Sequence, residues 1–169
     1  MRNVLWVLVF SLLSASGVAS AAEPRLCTDT EHRQFDFWLG EWVVHTPDGR
    51  LAGHNSISRE EGGCLLVERW RSVGGGTGQS YNYFDKVTGQ WHQLWVSQAA
   101  VIDYAGGADG DGVMRLEGQI RYQPDGRSAD FRGVWRKQAD GTVLQELFEH
   151  DAASGEYKLW FKGVYSPSP

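Results

Sequence analysis

The sequence predicts an all-β fold, a closed antiparallel up-and-down barrel of about ten strands with a short helix ahead of the first strand. Turn signals made of Gly, Pro, Asp and Ser recur at short intervals, and the chain contains 21 Gly. The segments between them are short and dense in aromatic and β-branched residues, which is typical of strands. Short loops favour antiparallel pairing of sequential strands, and closure removes the two exposed edges of such a meander.

The elements follow one another in chain order. Residues Thr28 to Phe37 carry the only helix signal, with Thr28 or Asp29 as a candidate cap. The predicted strands are 41–46, 50–60, 64–73, 79–85, 90–97, 100–105, 113–122, 129–138, 142–150 and 157–165. A sandwich of two sheets is the alternative arrangement of the same strands.

The first 22 residues are typical of a bacterial Sec-type signal peptide. Arg2 supplies the positive start, Val4 to Leu13 an apolar run too short to span a bilayer, and Ala19 to Ala22 a run of small residues suited to cleavage. Residues 23–169 are then one exported domain, and the expected location is periplasmic or secreted.

The charge balance excludes some classes of partner. The net charge of the chain is −5, and no block of basic residues follows the leader. Nucleic acid and anionic membranes are therefore not expected as partners. No second long apolar run follows either, so no membrane span is expected.

Two cysteines, Cys27 and Cys64, follow the leader. In an oxidising compartment such a pair is expected to form a structural disulfide, worth roughly 3 to 4 kcal/mol for a loop of this length. A redox pair is disfavoured because the spacing is not Cys-x-x-Cys, and a metal pair lacks neighbouring ligands.

Alternation along the strands predicts which side chains face the lumen. In strands 113–122 and 129–138 one face is clearly apolar and is expected to point inward. In strands 64–73 and 90–97 both faces are mixed, and the face that carries Trp is taken as internal. Five Trp and five polar residues then share one interior: Trp42, Trp70, Trp91, Trp95, Trp135, Glu68, Asn82, Gln93, Gln145 and Glu149.

This interior is predicted to be a ligand cavity and not a dry core. Ten strands enclose more room than eight, and a Glu is costly to bury without a partner or solvent. His54 joins the candidates because it shares a small polar face with Ala52, Ser56 and Ser58. The predicted ligand-binding residues are His54, Glu68, Trp70, Asn82, Trp91, Gln93, Trp95, Trp135, Gln145 and Glu149.

Catalytic and metal motifs are sparse. The five His residues form neither His-x-His nor His-Glu-x-x-His, so no metal site is predicted. The chain has no Gly-x-Ser-x-Gly nucleophile motif, and no Lys-Ser or Lys-Thr follows the glycine run Gly74 to Gly78. Glu68 and Glu149 remain weak catalytic candidates, as an acid/base pair if their carboxyl groups converge.

Residues Phe35-Asp36-Phe37-Trp38-Leu39-Gly40-Glu41-Trp42-Val43-Val44 resemble the opening motif of the DUF1579 family of unknown function, whose members are similar to lipocalin-like (calycin) proteins. Further matches follow in the same order along nearly the whole chain after the leader: Gly63-Cys64 with Glu68 and Trp70, Gly78 with Ser80 and Asn82, Gly89 with Trp91, Gln93 and Trp95, Met114 with Leu116 and Gly118, and Phe161 with Gly163 and Tyr165.

The resemblance implies a lipocalin-like or nitrobindin-like barrel with Trp42 packed at its closed end, and it supplies no activity. Similar ten-stranded barrels hold haem or lipid, so a small apolar or aromatic ligand is the expectation at the level of the fold. The similar haem proteins use an axial His on one of the last strands, and His150 is the only His in that part of this sequence. It shares a strand face with Leu144, Glu146 and Phe148 that is predicted to point outward, so haem is disfavoured. No cofactor is therefore predicted.

Three functions are compatible with this sequence. The first is an exported binding protein for a small apolar or aromatic molecule. The second is a small-molecule enzyme that uses Glu68 or Glu149, with Asn82 and Gln93 as orienting groups. The third is a structural or interaction protein of the cell envelope whose barrel is filled by its own side chains.

Overall fold

The computed structural model of the protein describes residues 26–109 and 112–169. The predicted signal peptide and its cleavage site lie outside these residues. No helix in the described ranges is long and apolar enough to cross a membrane.

The described chain forms ten strands, close to the predicted ones. They are β1 Gly40–His45, β2 Leu51–Glu60, β3 Leu65–Ser72, β4 Thr77–Asp85, β5 Gln90–Ser97, β6 Ala100–Ala108, β7 Val113–Tyr122, β8 Ser128–Lys137, β9 Val143–Asp151 and β10 Glu156–Pro167.

The strands form one closed antiparallel barrel, which confirms the predicted fold class. Each strand pairs with the next in sequence, and β1 pairs with β10 to close the sheet. Val44 lies opposite Tyr165 at this closure. The alternative sandwich does not form, because closure pairs both edges of the meander.

The segment ahead of β1 is helical only in two single 3₁₀ turns, Glu31–Arg33 and Asp36–Trp38. The predicted cap at Thr28 or Asp29 is wrong: Thr30 is the first flanking residue, and its side chain makes no capping hydrogen bond. The segment is held by packing against the barrel, which explains why a weak helix signal suffices.

Phe35 and Trp38 from this segment seal one end of the barrel. Both are fully buried. The Phe35 ring lies 4.9 Å from that of Trp38, 5.6 Å from Trp91 and 5.3 Å from Trp135, centroid to centroid. The indole N–H of Trp42 donates to the carbonyl of Trp38 at 2.9 Å. We call residues 31–38 the plug and the end that they cover the closed end.

The predicted disulfide between Cys27 and Cys64 forms, with a Cα–Cα distance of 5.0 Å. It joins the chain just before the plug to the turn that precedes β3. Arg33 strengthens the same junction by donating to the carbonyl oxygens of Cys27 and Gly63, the latter at 2.9 Å. The plug is thus attached to the barrel wall both covalently and by hydrogen bonds.

Candidate functional site

The half of the barrel away from the plug contains a cavity of about 180 Å³. This volume is similar to that of an engineered protein cavity of about 150 Å³ that binds benzene. Its walls are mainly apolar, with a few polar groups among them. The lining residues are Glu68, Trp70, Gln93, Trp95, Ile102, Tyr104, Gln145, Leu147, Trp160, Phe161 and Tyr165.

Two indole rings form part of the wall near the open end. Trp70 and Trp95 lie toward the ends of β3 and β5, and both are partly exposed. Trp95 covers Gly78 so closely that a Cβ built on this glycine would lie 2.2 Å from the indole ring. The missing side chain at Gly78 therefore makes room for the Trp95 ring to lie against the wall.

A third indole reaches the cavity through an irregularity that alternation does not reveal. The register of β9 and β10 shifts between Leu159 and Phe161, and Trp160 is the extra residue. Trp160 is about half exposed and donates its indole N–H to the Tyr122 hydroxyl at 3.0 Å. The bulge thus adds an aromatic side chain at the cavity mouth.

A buried carboxyl group lies among these aromatic walls. Glu68 is 4% exposed, and it accepts hydrogen bonds from Asn55 Nδ2 at 2.7 Å and Ser80 Oγ at 2.6 Å. Burial raises the pKa of Glu68 to about 7, and the two hydrogen bonds oppose this rise in part. Glu68 is therefore near the midpoint of its titration at neutral pH.

The hydrogen bonds continue around the barrel wall from Ser80. Asn82 donates to Ser80 Oγ at 2.9 Å and to the Leu66 carbonyl at 3.1 Å. Gln93 donates to Asn82 Oδ1, and the Tyr104 hydroxyl donates to Gln93 Oε1. Because each of these groups has a partner, the network can remain buried at low cost.

A second branch crosses the closure of the barrel. The Tyr165 hydroxyl donates to Gln145 Oε1 at 2.6 Å, and it accepts from Asn55 Nδ2 at 3.4 Å. Burial, together with the nearby Glu68 carboxylate, raises the pKa of both Tyr104 and Tyr165 well above its ordinary value. Both phenols therefore remain protonated at neutral pH.

The structure brings five of the predicted ligand-binding residues to this cavity: Glu68, Trp70, Gln93, Trp95 and Gln145. Asn82 lies directly behind them and bonds to Gln93. The choice of the Trp-bearing faces of β3 and β5 as internal is thus correct. Ligand binding at these residues stays a prediction.

Trp91 and Trp135 face the interior as predicted, but they are not part of the cavity. Their side chains pack against Phe35 at the closed end. The indole N–H of Trp91 also donates to the Glu31 carbonyl at 3.2 Å. The structure therefore does not bring them together with the cavity residues, because the plug fills the space in front of them.

Glu149 does not share the cavity with Glu68, so the predicted acid/base pair does not form. Glu149 lies at the open end, where Arg127 and the Tyr122 hydroxyl both donate to its carboxyl oxygens. Partial burial opposes ionisation, but these two hydrogen bonds outweigh it and lower the pKa of Glu149. Glu149 is thus a charged, paired residue of the rim.

His54 does not line the cavity, so the structure does not bring it together with the other candidate residues. The side chain is exposed, whereas its neighbours Gly53 and Asn55 are buried. The face of β2 that carries His54, Ser56 and Ser58 is turned outward, and the opposite face, with Asn55 and the apolar Ile57, is buried. Asn55 occupies the inner face because Glu68 and Tyr165 satisfy its amide N–H groups there.

The remaining candidates for metal or haem chemistry lie elsewhere. His150 is on the outer face of β9, where its ring lies 5.3 Å from that of Tyr157. In the described ranges, no group of three His, Cys, Asp or Glu residues could hold a metal ion.

The sequence interpretation missed Tyr104 and Tyr165, the two phenols of the cavity. Alternation along β6 gives a signal for Tyr104, since Ala100, Ile102 and Tyr104 share one face. Tyr165 lies on the face of Phe161 and Gly163, which the resemblance had already marked. The role of Asn55 has no comparable signal, because it depends on contacts with other strands.

No protein-family model matches the chain, and no curated protein matches it significantly. The resemblance to the DUF1579 family therefore stays a prediction.

Proposed function

We propose that this protein binds a small apolar or aromatic molecule inside the open half of its barrel. The observation that carries the proposal is the cavity of about 180 Å³ with apolar walls and a few polar groups. This combination is typical of ligand sites, in which apolar walls supply affinity and a few polar groups fix orientation. A barrel filled by its own side chains, the third function considered, does not fit a cavity of this size.

The protein is proposed to act outside the cytoplasm. The disulfide between Cys27 and Cys64 supports this location, because such bonds persist in oxidising compartments. The signal-peptide pattern of residues 1–22 supports it independently. Periplasmic or secreted localisation follows as part of the proposal.

A titration with 2-phenylethanol, a neutral molecule with one aromatic ring, tests the binding site. Binding should change the intrinsic Trp fluorescence, since Trp70 and Trp95 line the cavity. Trp95→Ala should weaken the affinity by about tenfold or more, because it removes one wall. Leu147→Phe should also weaken it by filling the cavity.

Leu94→Ala is the matched control. Leu94 is the sequence neighbour of Trp95 but is exposed on the outer face. This variant should bind like the wild type. If neither Trp95→Ala nor Leu147→Phe changes the affinity while both variants stay folded, the ligand does not bind in this cavity.

A second candidate function, acid/base catalysis on a small molecule, is favoured by one observation. Glu68 lines the cavity with a pKa of about 7, which suits proton transfer at neutral pH. Glu149 has no part in this second candidate function, because it does not lie beside Glu68. If the protein is an enzyme, Glu68→Gln should abolish turnover and leave the fold intact, whereas Glu149→Gln should leave turnover nearly unchanged.

A further inference from the structure

The polar part of the cavity contains a carboxyl group but no basic side chain. No Lys, Arg or His is among the residues that line the cavity. Glu68 takes part in none of the ion pairs found among the described residues. Its hydrogen-bond partners are Asn55 and Ser80, and both are uncharged. A ligand with an anionic group would therefore meet repulsion from Glu68 and no compensating cation.

The two phenol groups near Glu68 offer hydrogen-bond acceptors. Tyr104 and Tyr165 donate their protons to Gln93 and Gln145, so their oxygens present lone pairs. Glu68, Tyr104 and Tyr165 all line the cavity. A hydrogen-bond donor on a ligand would therefore meet a carboxyl group and two phenol oxygens as acceptors.

The walls around Glu68 are aromatic. Trp95 lies in the same register row, because Ser80 pairs with both Glu68 and Trp95. Trp70 lies two residues further along the same face of β3. Indole rings attract cations through their negative faces, and a nearby carboxylate adds to that attraction.

From these contacts we propose that the ligand is a small aromatic amine whose ammonium group binds at Glu68 while its ring packs against Trp70 and Trp95. This inference rests on the proposed binding function and names the class of molecule that the cavity takes. The ammonium supplies both hydrogen-bond donors for these acceptors and a positive charge beside Glu68. A volume of about 180 Å³ accommodates one ring with a short side chain.

The titration of Glu68 is consistent with this assignment. Burial raises its pKa to about 7 in the ligand-free protein, because no cation stabilises the carboxylate. The groups that face it are Asn55 from β2, Ser80 from β4, Tyr104 from β6 and Tyr165 from β10. Only the two phenols titrate among these, and their pKa values lie well above the ordinary value.

Three molecules of nearly equal size and shape separate charge from apolar packing. They are phenethylamine, which is cationic, 2-phenylethanol, which is neutral, and phenylacetate, which is anionic. Isothermal titration calorimetry at pH 8 should give an affinity for phenethylamine at least about tenfold above that for 2-phenylethanol. Phenylacetate should bind most weakly of the three.

Glu68→Gln should remove the preference for the amine and change the affinity for 2-phenylethanol by less than about threefold. Glu117→Gln is the control, because it removes an exposed carboxylate that pairs with Arg132 on the outer surface. This variant should keep the preference. If 2-phenylethanol binds and phenethylamine binds no tighter, the amine inference is wrong while the proposed binding function stands.

The pH dependence of binding tests the same inference without a variant. Between pH 5 and pH 8 an alkyl amine stays protonated, whereas Glu68 loses its proton. The affinity for phenethylamine should therefore rise by about tenfold or more from pH 5 to pH 8, with proton release on binding near pH 6. A flat profile would contradict pairing with Glu68. If 2-phenylethanol and phenethylamine both fail to bind at any pH, the amine inference and the site proposed for binding fail together.

Discussion

The two halves of the barrel use the same residue type in opposite ways. At the closed end the side chains of Trp91 and Trp135 are at most 2% exposed and pack against Phe35. In the open half Trp70 and Trp95 lie on the same inner face but border an open cavity.

The difference between the halves comes from the plug and not from the strands. Phe35 enters the closed end, and nothing equivalent among the described residues enters the open half. An inward Trp is therefore a core residue where another segment covers it and a wall residue where none does. The buried polar network of Glu68, Asn55 and Ser80 lies on the open side of this boundary.

The largest effect is expected from breaking the closed end. Phe35→Ala should lower the free energy of unfolding by about 3 to 5 kcal/mol, because it leaves a cavity among fully packed rings. Trp95→Ala should cost less, about 2 kcal/mol or below, since Trp95 already borders open space. Urea denaturation of both variants measures the difference. Equal losses would mean that the two halves are packed alike.

The attachment of the plug gives the next effect. Replacing Cys27 and Cys64 together by Ser should cost about 3 to 4 kcal/mol, since the disulfide closes a loop with a sequence separation of 37. Fluorescence of Trp91 should then report a looser closed end, because its partners Glu31 and Gln34 belong to the tethered segment. A loss below about 1 kcal/mol would show that packing alone holds the plug.

The buried carboxyl group of the open half gives a pH-dependent effect. The pKa of Glu68 is raised from 4.5 to about 7, so the folded state binds more protons than the unfolded state between these values. Stability should therefore fall as pH rises through this range, by about 3 kcal/mol in total.

Comparison with Glu68→Gln isolates this contribution, because every other titrating group is shared by the two proteins. The difference in free energy of unfolding should change by about 3 kcal/mol between pH 4 and pH 8, in favour of the variant at high pH. A constant offset between the two proteins over this range would contradict the raised pKa.

The smallest effect concerns the position of one indole ring. Gly78→Ala places a Cβ against Trp95 and should push the ring toward the cavity, at a cost of about 1 to 2 kcal/mol in stability. Binding of 2-phenylethanol should weaken by severalfold. Gly107→Ala is the control, since a Cβ there meets nothing within 4 Å. Equal binding by both variants would show that Trp95 does not form a wall of the ligand site.

Much of the fold could be predicted because each strand carries its own signal. Gly-rich turns mark the strand ends, and alternation identifies the inner face of β7 and β8 without reference to any other element. The inner face of β2 is harder to identify, because the buried Ile57 shares it with Asn55 and the partly buried Arg59. The position of Trp160 at the cavity mouth could not be predicted either, because it results from a register shift between β9 and β10.

The same distinction applies to the candidate site: some of its residues could be predicted from single strands, and others depend on contacts with other elements. Glu68, Trp70 and Trp95 were predicted from their strands alone, and the structure places them together. Trp135 and Glu149 were predicted by the same pattern, yet one is covered by the plug and the other is paired at the rim. Alternation predicts which face of the sheet a side chain is on. It does not predict which other segments contact that side chain.

The sequence by itself determined the ten strands, their antiparallel order and the disulfide, because these depend on local patterns and on an even pair of cysteines. Only the tertiary structure decided which inward residues border open space. That outcome depends on where Phe35 enters the barrel and on which amides reach Glu68. Contacts between residues far apart in the chain set both, and no local pattern encodes them.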